Sequence, residues 1–150
     1  MTTIAWDGKT LATDGRATTN DVIESDNIKK LFKTKKRDSD YVSCAFCGSY
    51  VDALKILKWI NEGRGDDFPE IDKEISVSII CVKRNNTLDI YRRENKGFPL
   101  PHKGLYTDGS GWELAMGAME AGATAVEAVK IACRRDVHSG GKIQSYTFEG

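Results

Sequence analysis

The sequence predicts an α+β fold in which two antiparallel β-sheets pack together with helices outside. Three observations predict it. The order of elements is strands, helix, strands, two helices, strand. Short turn signals, Asp7-Gly8 and Asn85-Asn86, join neighbouring strands as hairpins. The helical stretches carry their apolar residues on one stripe, at i, i+3, i+4 and i+7.

Taken in order, residues 3–6 read as a strand, Asp7-Gly8 as its turn, and residues 9–14 as the return strand, with Leu11 and Thr13 on one face. Residues 15–20 are small and polar and read as a loop. Residues 28–33 and 41–47 read as two more strands, joined by a charged hairpin tip over residues 34–40. Residues 50–60 have a helical period, with Tyr50, Ala53, Leu54, Leu57 and Ile60 on the stripe, and Gly63 and Gly65 end it. Residues 61–74 contain Pro69 and read as an irregular connector. Residues 76–82 alternate and are β-branched, and residues 88–91 return beyond Asn85-Asn86. Residues 111–121 are rich in Ala, Gly and Met at helical spacing. Gly122 breaks that helix and Thr124 caps the next, through Arg134, with Ala125, Val126, Val129, Ala132 and Cys133 inward. Residues 143–148 form the last strand candidate. Residues 1–150 read as one domain.

Lys+Arg and Asp+Glu are equal at 22 each. That balance gives no electrostatic reason to expect a nucleic-acid or membrane partner. No apolar run approaches the roughly 20 residues that span a bilayer. The first residues lack the basic-then-apolar pattern of a signal peptide, so the expected compartment is the cytoplasm and the four cysteines are expected to be reduced. Cys44-x-x-Cys47 has no second pair at zinc-ligand spacing. Its place in a strand turns the two thiols to opposite faces, so both read as core residues.

The chemistry sits at the N-terminus. Methionine before a small residue is usually trimmed, which would make Thr2 the first residue. A terminal threonine supplies a hydroxyl nucleophile and its own base, because an α-amine has a pKa of about 7.7–8. Such a site needs a cation beside the amine, a carboxylate to hold that cation, and an N–H for the oxyanion. Asp14, Lys30 and Gly48 are candidates by position. By spacing alone, Asp14 and Lys30 read more often as solvated surface residues.

Four blocks then occur in order: Thr2-Thr3-Ile4-Ala5 directly after Met1; Asp14-Gly15-Arg16-Ala17-Thr18 with Lys30 sixteen residues after Asp14; Ala45-Phe46-Cys47-Gly48-Ser49; and Gly109-Ser110-Gly111 with Arg135-Asp136-Val137-His138-Ser139-Gly140-Gly141. Through them the chain resembles the β-type proteasome subunits and the proteasome-like peptidase HslV. The resemblance implies the four-layer αββα sandwich of the N-terminal-nucleophile hydrolases and a threonine endopeptidase working through an acyl-enzyme ester. It implies Thr2 as nucleophile and base, Asp14 and Lys30 as the charge pair that tunes it, and Ser110, Asp136 and Ser139 as a proton-shuttling cluster. Gly48 would hold the oxyanion. The backbone of Thr18 would pair with an extended peptide. Ala17, Ile28, Phe46, Tyr50 and Leu54 fall where the family lines its first specificity pocket, which implies weak preference for an apolar residue before the cut. His138 reads as structural, and His102, beside Pro99 and Pro101 in a loop, as without a role.

The resemblance implies a peptide or unfolded-protein substrate and a homo-oligomer. It implies no required cofactor, though the family often holds a metal cation at the backbone carbonyls of the 136–139 loop. One departure bears on partners. The family places two long helices after the Gly48 block, whereas only one fits here before Pro69. The missing helix belongs to the outer face, where an ATP-dependent unfoldase docks, and its loss counts against that partner. The alternative reading is a non-catalytic assembly or binding subunit with the same fold. The basic run over residues 33–37 reads as a solvated hairpin tip, offset by Asp38 and Asp40.

Overall fold

The computed structural model describes residues 2–34, 40–65 and 67–149. Met1, most of the basic run and residues 35–39 of the tip read over residues 34–40 lie outside the described residues.

Two antiparallel sheets form the centre. The first contains β1 (Thr3–Trp6), β2 (Thr10–Thr13), β10 (Tyr106–Gly109) and β11 (Gln144–Thr147), in the order β10-β1-β2-β11. The second contains β5 (Leu31–Lys33), β6 (Tyr41–Gly48), β7 (Val77–Lys83), β8 (Leu88–Arg92) and β9 (Leu100–His102), in sequence order. A separate two-stranded ribbon pairs β3 (Ala17–Thr19) with β4 (Val22–Ser25).

Strand alternation sorts the core into three apolar layers. Ile4, Trp6 and Leu11 of the first sheet meet Val42, Cys47, Ile80, Val82 and Ile90 of the second. The opposite face of the second sheet, with Cys44, Phe46, Ile79 and Tyr91, packs under helix α1 (Tyr50–Asn61). The opposite face of the first sheet places Ala5 and Ala12 against α2 (Trp112–Glu120) and α3 (Ala125–Arg135), and these small residues let the helices lie close. The result is the four-layer αββα sandwich. Cys44 and Cys47 do face opposite layers, and both are free thiols.

Several elements differ from expectation. Part of the stretch read as a polar loop, residues 17–20, belongs to the β3–β4 ribbon, which turns at Asn20 and Asp21, both with positive φ (47° and 67°), and β4 is an unexpected strand. Neither strand has a fully buried face, so no alternation marks it. Of residues 28–33 only Leu31–Lys33 is a strand; Lys30 stands in the extended segment before it. β9 carries Pro101, which is tolerated because β9 is an edge strand. Helix α1 buries Ala53, Ile56, Leu57 and Ile60, while Tyr50 and Leu54 remain 45% and 40% exposed. The stripe holds at Ala53, Leu57 and Ile60, but Ile56 takes the inward place expected of Leu54, and Ser49, which caps the helix by accepting from the Asp52 N–H, leaves Tyr50 at its mouth. In α3, Val126 and Cys133 flank the buried face, and Ala128 joins Ala125, Val129 and Ala132 within it.

This packing is testable on one helix. Val129→Ala should cost about 2 kcal/mol in a urea unfolding curve. Lys130→Ala, on the exposed side, should stay within about 0.5 kcal/mol.

Candidate active site

Thr2 begins the described chain at the open end of β1 and is buried. Its carbonyl is met by the Gly111 N–H at 3.5 Å and the Ser110 hydroxyl at 3.4 Å. Gly109 makes room for it with φ of 87°; a Cβ there would lie 1.9 Å from the Thr2 carbonyl oxygen.

The Thr2 hydroxyl accepts from Lys30 Nζ at 2.7 Å. The same ammonium donates to Asp14 Oδ1 at 2.8 Å and to the Arg16 carbonyl at 2.6 Å. Lys30 and Asp14 are both buried. Burial pushes the Lys30 amine below the ordinary lysine range, against the opposing pull of Asp14. Asp14 is held by backbone donors. Thr3 N–H reaches Oδ1 at 3.2 Å, while the N–H groups of Gly140 and Arg16 reach Oδ2 at 3.0 and 3.3 Å. Gln144 fixes the segment that carries the lysine. Its Oε1 accepts from the N–H groups of Lys30 and Leu31 at 2.8 and 3.1 Å, and its amide donates to the carbonyls of Ile28 and Asp14.

A second cluster lies on the other side of Thr2. Asp136 Oδ2 accepts from Ser110 and Ser139, each at 2.6 Å, and Oδ1 accepts from the His138 N–H at 3.1 Å. Burial raises the Asp136 pKa, but these donors together outweigh it and hold the group below the ordinary carboxylate range. The Ser139 hydroxyl also lies 2.6 Å from that of Thr3, so the cluster is bonded to the residue next to Thr2. His138 bridges Thr18 Oγ1 at 3.3 Å and Asp21 at 3.1 Å, tying the ribbon to this loop.

Thr2 opens onto a cavity of about 420 Å³. Ala17, Thr18, Ile28, Phe46, Gly48 and Tyr50 line it, as do Arg16, Glu24 and Ser49. Gly48 ends β6 with φ of 93°, where a Cβ would lie 2.1 Å from the Ser76 carbonyl oxygen. Leu54 does not reach this cavity. It lines a neighbouring one with Phe32 and Leu57, because one helical turn beyond Tyr50 carries it past the mouth. Sequence reasoning also missed Gln144, Arg16 and Glu24. Gln144 carries no local signal, since its partners are 113 to 130 residues away in the chain.

The 136–139 loop bears on the implied cation. The carbonyls of Val137 and Ser139 accept from the Arg16 guanidinium at 3.3 and 3.4 Å, so a metal ion at those oxygens would have to displace that side chain. Among the described residues, no group of His, Cys, Asp and Glu is placed to hold a metal, and no helix is long and apolar enough to cross a membrane.

The Asp136 cluster has a pH signature. A carboxylate with a lowered folded pKa adds stability above its unfolded value, near 3.9, and loses it as pH falls through the folded value. Ser110→Ala removes one donor. It should cost about 1 kcal/mol at pH 7, and the gap to wild type should narrow as pH falls below the unfolded value in urea titrations at a series of pH values.

No protein-family model matches the chain. It is 27% identical to proteasome subunit beta 1 of Thermococcus onnurineus (strain NA1) over an alignment of 175 residues, covering 96% of this chain and 84% of the relative. Its structure is similar to that of HslV from Trypanosoma brucei, with a TM-score of 0.70, 20% identity and 99% of each chain covered. It is similar also to Thiobacillus denitrificans BPH, with a TM-score of 0.68, 19% identity, and 99% of this chain and 97% of that one covered. The same protein has been solved in complex with epoxomicin, and that structure matches with a TM-score of 0.67 at 17% identity, covering 99% of this chain and 97% of that one. The chain thus has the fold of these N-terminal-nucleophile hydrolases and is similar, across nearly its whole length, to a proteasome β subunit and to HslV.

Proposed function

We propose that the chain is a threonine endopeptidase whose nucleophile is the Thr2 hydroxyl, exposed to its own amine once Met1 is removed. The observation that carries this reading is the 2.7 Å contact between Lys30 Nζ and Thr2 Oγ1, beside a cavity lined by Gly48. A buried lysine between a hydroxyl and a carboxylate is costly to maintain, and it stabilises an alkoxide directly.

The steps follow from the groups present. The freed α-amine accepts the hydroxyl proton as Oγ1 attacks the peptide carbonyl carbon, and Lys30 offsets the developing negative charge. The Gly48 N–H receives the oxyanion. The tetrahedral adduct collapses as the ammonium protonates the departing amine, leaving an ester on Thr2. Water attacks that ester with the amine again as base, and the carboxylic product leaves. Ser110 holds the Thr2 carbonyl and Ser139 the Thr3 hydroxyl, Asp136 ties the two serines together, and their hydroxyls are placed to carry the proton. Thr18 gives the peptide an exposed strand of the ribbon to pair with. The proposal extends to a homo-oligomer acting on peptides or unfolded proteins.

An intact-mass measurement after treatment with an epoxyketone tests the reading. The expected result is loss of Met1 and one adduct, placed on Thr2 by peptide mapping. Thr2→Ala should give no adduct and no turnover while remaining folded, and Lys30→Ala should lower kcat/KM at least about 100-fold. Retained Met1, or a folded protein that forms no adduct, would replace this reading with that of a non-catalytic assembly or binding subunit.

A further inference from the structure

Three charged side chains line the cavity beside Thr2. Lys30 is paired with Asp14. Arg16 is paired with Asp26 at 2.7 Å, and its guanidinium also reaches the Val137 and Ser139 carbonyls. Glu24 is the third. Among the described residues, no cation or hydrogen-bond donor meets its carboxylate.

The register of the ribbon explains its position. Ala17 pairs with Ser25 and Thr18 pairs with Ile23, so Glu24 is the extra residue of a bulge with no cross-strand partner. A bulge re-aims the side chain it carries and is a local feature of a strand rather than a consequence of core packing. Here that side chain lines the cavity rather than joining a cross-strand pair. Around it stand Ala17, Ile28, Phe46 and Tyr50, the two rings meeting edge to face at 5.5 Å.

We propose that Glu24 makes this cavity a subsite for a lysine or arginine side chain, so that the enzyme cuts after basic residues. The assignment rests on Thr2 being the nucleophile. Apolar walls suit the alkyl stem of such a residue, and a carboxylate suits its charged head. The aromatic rings add a further attraction for a guanidinium. An apolar side chain would displace water from Glu24 and give its charge nothing in return. An acidic one would meet a like charge. The apolar preference implied by the wall residues alone is therefore replaced by a basic one.

The test uses the Met1-processed protein and a set of fluorogenic tripeptides that differ only in the residue before the cut: Lys, Arg, Leu or Glu. Wild type should favour Lys and Arg. Glu24→Gln should lower kcat/KM on those two by roughly fivefold, the worth of one solvent-reached ion pair, and raise it on Leu, whose burial no longer strips water from a charge. Glu24→Lys should shift preference towards Glu. Glu24 is exposed at the ribbon, so both variants should fold, and circular dichroism checks this. Wild-type preference for Leu, or an equal loss on Lys and Leu in Glu24→Gln, would overturn the subsite assignment. Labelling by an epoxyketone separates the two readings. An adduct on Thr2 with apolar preference removes only the role of Glu24. Absence of any adduct and of any cleavage removes both.

Discussion

The buried pair of Lys30 and Asp14 is the constraint around which this molecule is arranged. Taking both charges out of water costs several kcal/mol per ion, and a pair of this kind adds little to stability on its own. It is kept tolerable by saturation with partners. Among the described residues, the Thr2 hydroxyl, Asp14 and the Arg16 carbonyl accept from the ammonium, and backbone N–H groups of Thr3, Arg16 and Gly140 join Lys30 on the carboxylate. Those partners come from the first strand, the turn before the ribbon and the loop after α3. The pair can exist only when three distant segments have already come together, so it reports the completed fold as much as it serves the chemistry.

The supporting architecture follows from that demand. β1 must deliver Thr2 at its end with its carbonyl held, which requires glycine at 109 and 111 for close approach. Small residues on the helix-facing side of β1 and β2 bring α3 near enough for Asp136 at its end to reach Ser110 and Ser139. Helix α1 serves the opposite sheet, and its cap places Tyr50 at the cavity mouth. The irregular connector that follows α1 supplies none of the contacts described at Thr2 and Asp136.

Much of this was legible in the sequence, for identifiable reasons. The sheets were visible through turn signals and β-branched runs, and α1, α2 and α3 through single apolar stripes with Gly63, Gly122 and Thr124 at their ends. The site residues were legible only as an ordered set of short blocks, because Asp14 or Lys30 alone looks like any surface charge. What escaped has a common physical origin. The ribbon carries no buried face to impose alternation. β9 contains a proline that only edge position excuses. Gln144 and Glu24 act through geometry, one by reaching back across the sheet and the other by sitting at a bulge, and neither leaves a periodic trace.

The β3–β4 ribbon stands apart from both sheets, joined to the body through Arg16 and His138. Two strands alone are marginal in water, and a third makes the difference between a fluctuating hairpin and a lasting sheet. A peptide lying along Thr18 would be that third strand. Substrate would then stiffen the wall that reads it, and a segment too short to span the ribbon would forgo this mutual ordering. Length discrimination would thereby arise from sheet cooperativity, with no dedicated ruler in the cleft.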